Sequence, residues 1–189
     1  MASAVTRATG SAFVTVTAKV SIVLGIAAVL YAGVQVVAAT VVLGQVDTDA
    51  LLGFLAAHSV PASATWVLTH LTTLAVAFLA VCTAFLAVSF GLLRRRLWGW
   101  WGFVLFMVAG AAANFAGIAA IDAAFSWIQT LPHQPALKPM RSEFASLRLL
   151  TLATLWVSAL LFAALHGLVV WQLCRPAVRA EFGMRSPPR

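Results

Sequence analysis

The stretch VSIVLGIAAVLYAGVQVVAATVVL, residues 20–43, decides the fold. It follows Lys19, and no Asp, Glu, Lys, Arg or His occurs again before Asp47. A helix needs about 20 apolar residues to cross the hydrocarbon core of a bilayer, and this run supplies them. It is too long for the h-region of a signal sequence, about 7–15 residues, and no clean A-x-A site follows, so a retained membrane helix is expected. Three further stretches share its character. Apart from histidine, no charged residue lies between Asp49 and Arg94, between Arg96 and Asp122, or between Arg148 and Arg175. The chain therefore reads as all-α: a four-helix transmembrane bundle forming one domain over residues 1–189, with spans near 20–43, 65–93, 97–121 and 149–174.

Composition agrees. Of the 189 residues 62% are hydrophobic and 9% charged, against about 25% charged in a soluble domain. The net charge of +7 does not signal nucleic acid. The basic residues sit at span boundaries, where they orient the chain and meet anionic headgroups. The expected partners are the lipid bilayer and, beyond it, other membrane subunits or a second copy. Cys82 and Cys174 belong to no C-x-x-C pair and read as structural thiols.

The segments between spans carry their own signals. Asp47, Thr48 and Asp49 can cap a short helix over residues 50–59, which Pro61 ends. Its Leu51, Phe54, Leu55 and His58 recur at i, i+3, i+4 and i+7, so it is expected to lie amphipathically on the outer membrane surface. Span two opens with Trp66 and closes at Arg94, Arg95 and Arg96, and Trp98, Trp100 and Trp101 follow at once. These six residues read as a lipid-headgroup anchor, with specific binding of an anionic lipid as the sharper form. The short link makes spans two and three antiparallel neighbours. Small residues at helical spacing, Gly25, Ala28, Ala32 and Gly33 in span one and Ala109, Ala113 and Gly117 in span three, would let helices approach closely. The third helix can run on to Thr130. Pro132, Pro135 and Pro139 then interrupt the chain, and the fourth helix begins near Glu143 or Ala145. Arg175 and Pro176 end it at Cys174, and the tail beyond, with Arg179, Arg185, Arg189 and a Pro-Pro pair, reads as flexible.

Polar side chains in hydrocarbon are costly, so Gln35, His70, Asn114 and His166 stand out as intramembrane candidates. Gln35 and Asn114 read first as glue between helices. Asp122 reads as a boundary carboxylate paired with Arg148 or Lys138. A haem held between His70 and His166 is disfavoured by depth. From His166 to Arg175 is about 13 Å of helix, and from His70 to Arg94 about 36 Å. A metal site from His58, His70 and His133 would have to be assembled by loops, since no two share a ligand spacing. No cofactor is expected. No Ser-His-Asp, HExxH, GxGxxG or P-loop arrangement is present. The resulting expectation is a non-enzymatic accessory or interaction subunit, multi-pass, in a bacterial inner membrane. Two alternatives stand beside it. One is a small oligomeric transporter or channel subunit lined by Gln35, Thr73, Asn114 and Ser158. The other is a haem- or metal-binding protein using the outer histidines.

Basic residues fix the expected orientation. Arg7, Lys19, Arg94, Arg95, Arg96, Arg175, Arg179, Arg185 and Arg189 share one side, and only Lys138, Arg141 and Arg148 fall on the other. Both termini should then be cytoplasmic. A reporter active only outside the cytoplasm should work when fused at Gln134 and stay silent at Arg189; the opposite pattern would overturn the topology.

Overall fold

The computed structural model describes residues 11–57, 60–130 and 141–184. Its elements are α1 (Ala12–Gly44), α2 (Thr48–Ala57), α3 (Ala62–Thr69), α4 (Leu71–Leu93), α5 (Leu97–Thr130), α6 (Arg141–Leu173) and α7 (Pro176–Glu181). The described residues are all-helical, and α1, α4, α5 and α6 are long and apolar enough to cross a membrane. At 33 residues α1 is about 50 Å long, well beyond a hydrocarbon core of about 30 Å. It therefore starts before Lys19, which is exposed on its surface.

The chain divides into two compact units, Met1–Phe103 with Arg175–Arg189, and Val104–Cys174. In the first, α1 packs along α4. The seam on α1 runs Val14, Ala18, Ser21, Gly25, Ala28, Ala32, Gln35, Ala39, all buried or half-buried, in alternating steps of four and three. On α4 the matching row is Ala75, Leu79, Cys82, Leu86, Ser89. A row that repeats every 3.5 residues stays in contact only if the two helices supercoil left-handedly. Small side chains bring the axes close: a Cβ on Gly25 would sit 3.1 Å from Leu86 Cδ1. The start of α1 meets the end of α4, so the pair is antiparallel. Of the small residues singled out in span one, Gly25, Ala28 and Ala32 lie in the seam, while Gly33 faces open space.

Span two is interrupted where the sequence shows no proline. Helix α3 stops at Thr69 and α4 starts at Leu71, with His70 between them at φ −108°, ψ 17°. The cause is local. The Thr69 hydroxyl donates to the Trp66 carbonyl at 3.0 Å, and His70 Nδ1 stands 2.9 Å from the same oxygen. Side chains that bond to the ladder's own carbonyls bend helices.

Helix α2 is capped by Asp47, whose Oδ1 accepts from the Asp49 and Ala50 amides at 3.0 and 3.3 Å. Its Leu55 is buried and Leu51 half-buried, whereas Phe54 is exposed. Part of the stripe read as membrane-facing is thus turned against the protein. His58 and Ser59 lie outside the described residues.

The turn from α4 to α5 is set by glycine. A Cβ on Gly99 would fall 2.3 Å from the Gly91 carbonyl carbon, and one on Gly91 would strike the Trp98 ring at 2.6 Å. A Cβ on Gly102 would meet Val88 at 2.8 Å. Backbone cannot withdraw as a flexible side chain can. Gly99→Ala should cost about 3 kcal/mol or more, at or above the upper end for overpacking. Gly33→Ala, in open space, should be neutral or gain up to about 1 kcal/mol from lower backbone entropy. Denaturant titration of the two variants in detergent would check this, and equal stabilities would refute it.

Candidate functional site

The most organised polar structure lies at the end of α4. The Arg96 amide donates to Gly91 O at 2.9 Å and the Arg95 amide to Leu92 O at 3.1 Å, the paired bonds of a Schellman cap. That cap needs a left-handed residue, and Arg95 supplies it at φ 55°. Glycine usually fills the position, because a Cβ there costs about 1–2 kcal/mol. The Arg95 side chain offsets this. Its Nε donates to Glu181 Oε2 at 2.9 Å, and Nη2 donates to Thr15 Oγ1 at 3.0 Å and Ser11 O at 3.3 Å. The second carboxylate oxygen, Glu181 Oε1, accepts from the Ser11 amide at 2.9 Å. One arginine thus ties the start of α1, the end of α4 and the tail helix together. The two charged side chains are only 21% and 18% exposed.

The tail is ordered by its own sequence. Pro176 occupies the first helical positions of α7, where its missing N–H costs nothing. Val178 and Phe182, four residues apart, are both buried. The expectation of a flexible tail is corrected for Pro176–Glu181, which is helical, and the signals were present in the proline, the apolar pair and the lone acid of the tail.

The six residues read as a headgroup anchor separate into two groups. Trp98 and Trp101 are 55% and 59% exposed, and Arg94 and Arg96 are exposed with no ion-pair partner among the described residues. Trp100 is only 4% exposed, and Arg95 is held by Glu181. These two serve the protein interior. Helical geometry accounts for the tryptophans: positions 98 and 101 share a face, while 100 shares its face with buried Phe103, which stacks on Phe85 at 6.0 Å.

In the second unit Arg148 holds Asp122, its Nε donating to Oδ1 at 2.9 Å, which is the pairing expected of that carboxylate. Phe115 and Trp156 meet at 5.8 Å on the same two helices. His166 packs near Phe162, and a Cβ on Gly110 would sit 3.6 Å from its Cε1. Its Nδ1 is buried without a hydrogen-bond partner among the described residues. Asn114 is exposed, as are Ala109, Ala113 and Gly117 around it.

His70 has a local role. Because a carbonyl only accepts, its Nδ1 beside Trp66 O must carry the proton. The ring stacks on Trp66 at 4.7 Å and 19°. Among the described residues no three His, Cys, Asp or Glu side chains are grouped as a metal site would need. His133 and Lys138, like His58, lie outside the described residues. Gln35 is half-buried within the α1 seam.

Compared with protein-family models, with curated proteins and with solved structures, the chain matches none. The Arg95 clasp can be tested directly. Glu181→Ala leaves a largely buried guanidinium unpaired and should cost about 1–3 kcal/mol, the range for hydrogen bonds to charged groups. It should also open the tail to trypsin at Arg179. Arg95→Gly loses the bonds to Glu181, Thr15 and the Ser11 carbonyl, but it keeps the Ser11 amide on Glu181, leaves no guanidinium unpaired and removes the left-handed strain, so it should cost less than Glu181→Ala. Thermal unfolding and limited proteolysis of the detergent-purified protein would check the order; the reverse order would refute the strain argument.

Proposed function

We propose that this multi-pass membrane protein is an interaction subunit, without catalytic chemistry of its own, that docks other membrane helices on α5. The observation that carries the reading is Asn114. It lies eight positions before Asp122 on one continuous helix, about 12 Å inside that boundary. Its amide is exposed and has no bonding partner among the described residues. A polar group facing hydrocarbon is expensive unless another polar group meets it. The surface around it is made of Ala109, Ala113 and Gly117, small enough for a second backbone to come close. A partner helix would satisfy the amide and cover the small residues at once. Hydrogen bonds of this kind between membrane helices contribute about 0.6–2 kcal/mol each, enough to select a partner without making it permanent.

The setting completes the proposal: a bacterial inner membrane, both termini cytoplasmic, and α2 on the outer surface. The charge asymmetry between the two sides supports the orientation. In native membranes of a strain lacking Cys82 and Cys174, Ala113→Cys should form an intermolecular disulfide, or a cross-link to a second protein, under mild oxidation. Leu105→Cys, on an exposed large-residue position, should not. Asn114→Leu should reduce the yield at residue 113. Equal cross-linking at 105 and 113, or none at 113, would sink the reading.

A further inference from the structure

We propose that the cleft beside Arg94 and Arg96 is a binding site for one anionic phospholipid. The cleft has a volume of about 530 Å³ and is lined by Ala87, Phe90, Gly91, Arg94, Arg96 and Trp98. That volume lies within the 300–1,000 Å³ of small-molecule sites. Its lining has two chemistries in a fixed order. Ala87, Phe90 and Gly91 lie along α4, before the two arginines, and the Trp98 ring packs against Gly91. A phosphodiester with its charge against two guanidiniums and its chains along an apolar wall has the same order.

Three observations favour an anion here over plain interfacial anchoring. First, the arginine triplet does not act as a unit. Arg95 is neutralised by Glu181, while Arg94 and Arg96 have no acidic partner among the described residues. Two uncompensated guanidiniums at one cleft attract a doubly contacted anion, and guanidinium geometry suits phosphate oxygens. Second, α5 begins at Leu97, between the lining residues Arg96 and Trp98, and has no acidic residue in its first turn. The first amides of an α-helix lack intrahelical partners, and the helix dipole adds positive potential there. Third, the cleft is built rather than left over. The Trp98 ring lies where a Cβ on Gly91 would meet it at 2.6 Å, so the wall depends on glycine at that position. A headgroup anchor made only of charge and aromatic rings would not require it.

The source of the phosphate decides the test. The full-length protein, exchanged into nanodiscs of phosphatidylcholine doped with phosphatidylglycerol, should retain one phosphatidylglycerol per chain on release for native mass spectrometry. Its preference over phosphatidylcholine should be roughly tenfold or more, the scale set by two basic residues at a membrane surface. The Arg94→Gln, Arg96→Gln double variant should lose that preference. The Arg179→Gln, Arg185→Gln variant removes the same charge elsewhere and should keep it. Ala87→Trp fills the cleft while keeping every charge, and should abolish the single retained lipid. Equal loss in both arginine double variants would show diffuse attraction only and overturn the site. So would retention in Ala87→Trp. Inorganic phosphate at millimolar concentration should not displace the lipid; displacement would identify a free-phosphate site instead.

Discussion

Much of the first unit depends on one residue held in a conformation that its side chain disfavours. Arg95 ends α4 in the left-handed region, and the turn it makes brings Gly99 against Gly91. Without that reversal the α4–α5 hairpin could not close in so few residues. The strain, about 1–2 kcal/mol, is small against the charged hydrogen bonds to Glu181, Thr15 and Ser11. Glycine would cap the helix more cheaply but would leave the end of α4 untied from α1 and α7. The choice of arginine exchanges local ease for a long-range connection, since Ser11 and Glu181 lie at opposite ends of the described chain.

The two units handle polar atoms differently. In the first, two polar side chains near the α4 end are satisfied within the protein: Ser89 donates to the Phe85 carbonyl at 2.8 Å, and Thr15 accepts from Arg95. The α1–α4 seam is continuous, and its small residues are covered. In the second, the boundary pair Asp122–Arg148 is made, but further in His166 Nδ1 and the Asn114 amide have no partner among the described residues. Ala109, Ala113 and Gly117 are as small as the seam residues of α1, yet they are exposed. The same sequence device is used on α1 and remains open on α5. That contrast makes the second unit the natural place to look for a partner.

How much of this was legible follows from where the forces act. Spans are governed by the absence of charge over a fixed length, which a sequence displays directly, so the four long helices and their order were readable. The Asp47 cap and the Asp122–Arg148 pair were readable because both rest on residue types with few alternatives. The interruption at His70 was not, because it arises from Thr69 and His70 sharing one carbonyl, and threonine and histidine occur in many unbent helices. Nor was the Arg95 cap, because a left-handed position is normally announced by glycine or asparagine. The division of the tryptophans could have been read from spacing alone, since 98 and 101 fall on one face and 100 and 103 on another. Basic and aromatic residues side by side hid it, as they look alike at an interface whichever way they point.

The arginine triplet then has two separable uses. Orientation is set while the chain inserts, before Glu181 has been made or has found Arg95, and the rule counts Lys and Arg with little regard to acids. On the proposed topology all three arginines act together at that stage. After folding, one charge is consumed in the clasp and two remain at the membrane boundary. The field that a lipid meets is that of Arg94 and Arg96, focused by a cleft with apolar walls, where screening is weaker than on an open surface. Losing the clasp would release a third guanidinium next to this cleft and free the turn that shapes it. Tail docking and lipid contact are thus coupled through Arg95, although no atom of the tail lines the cleft.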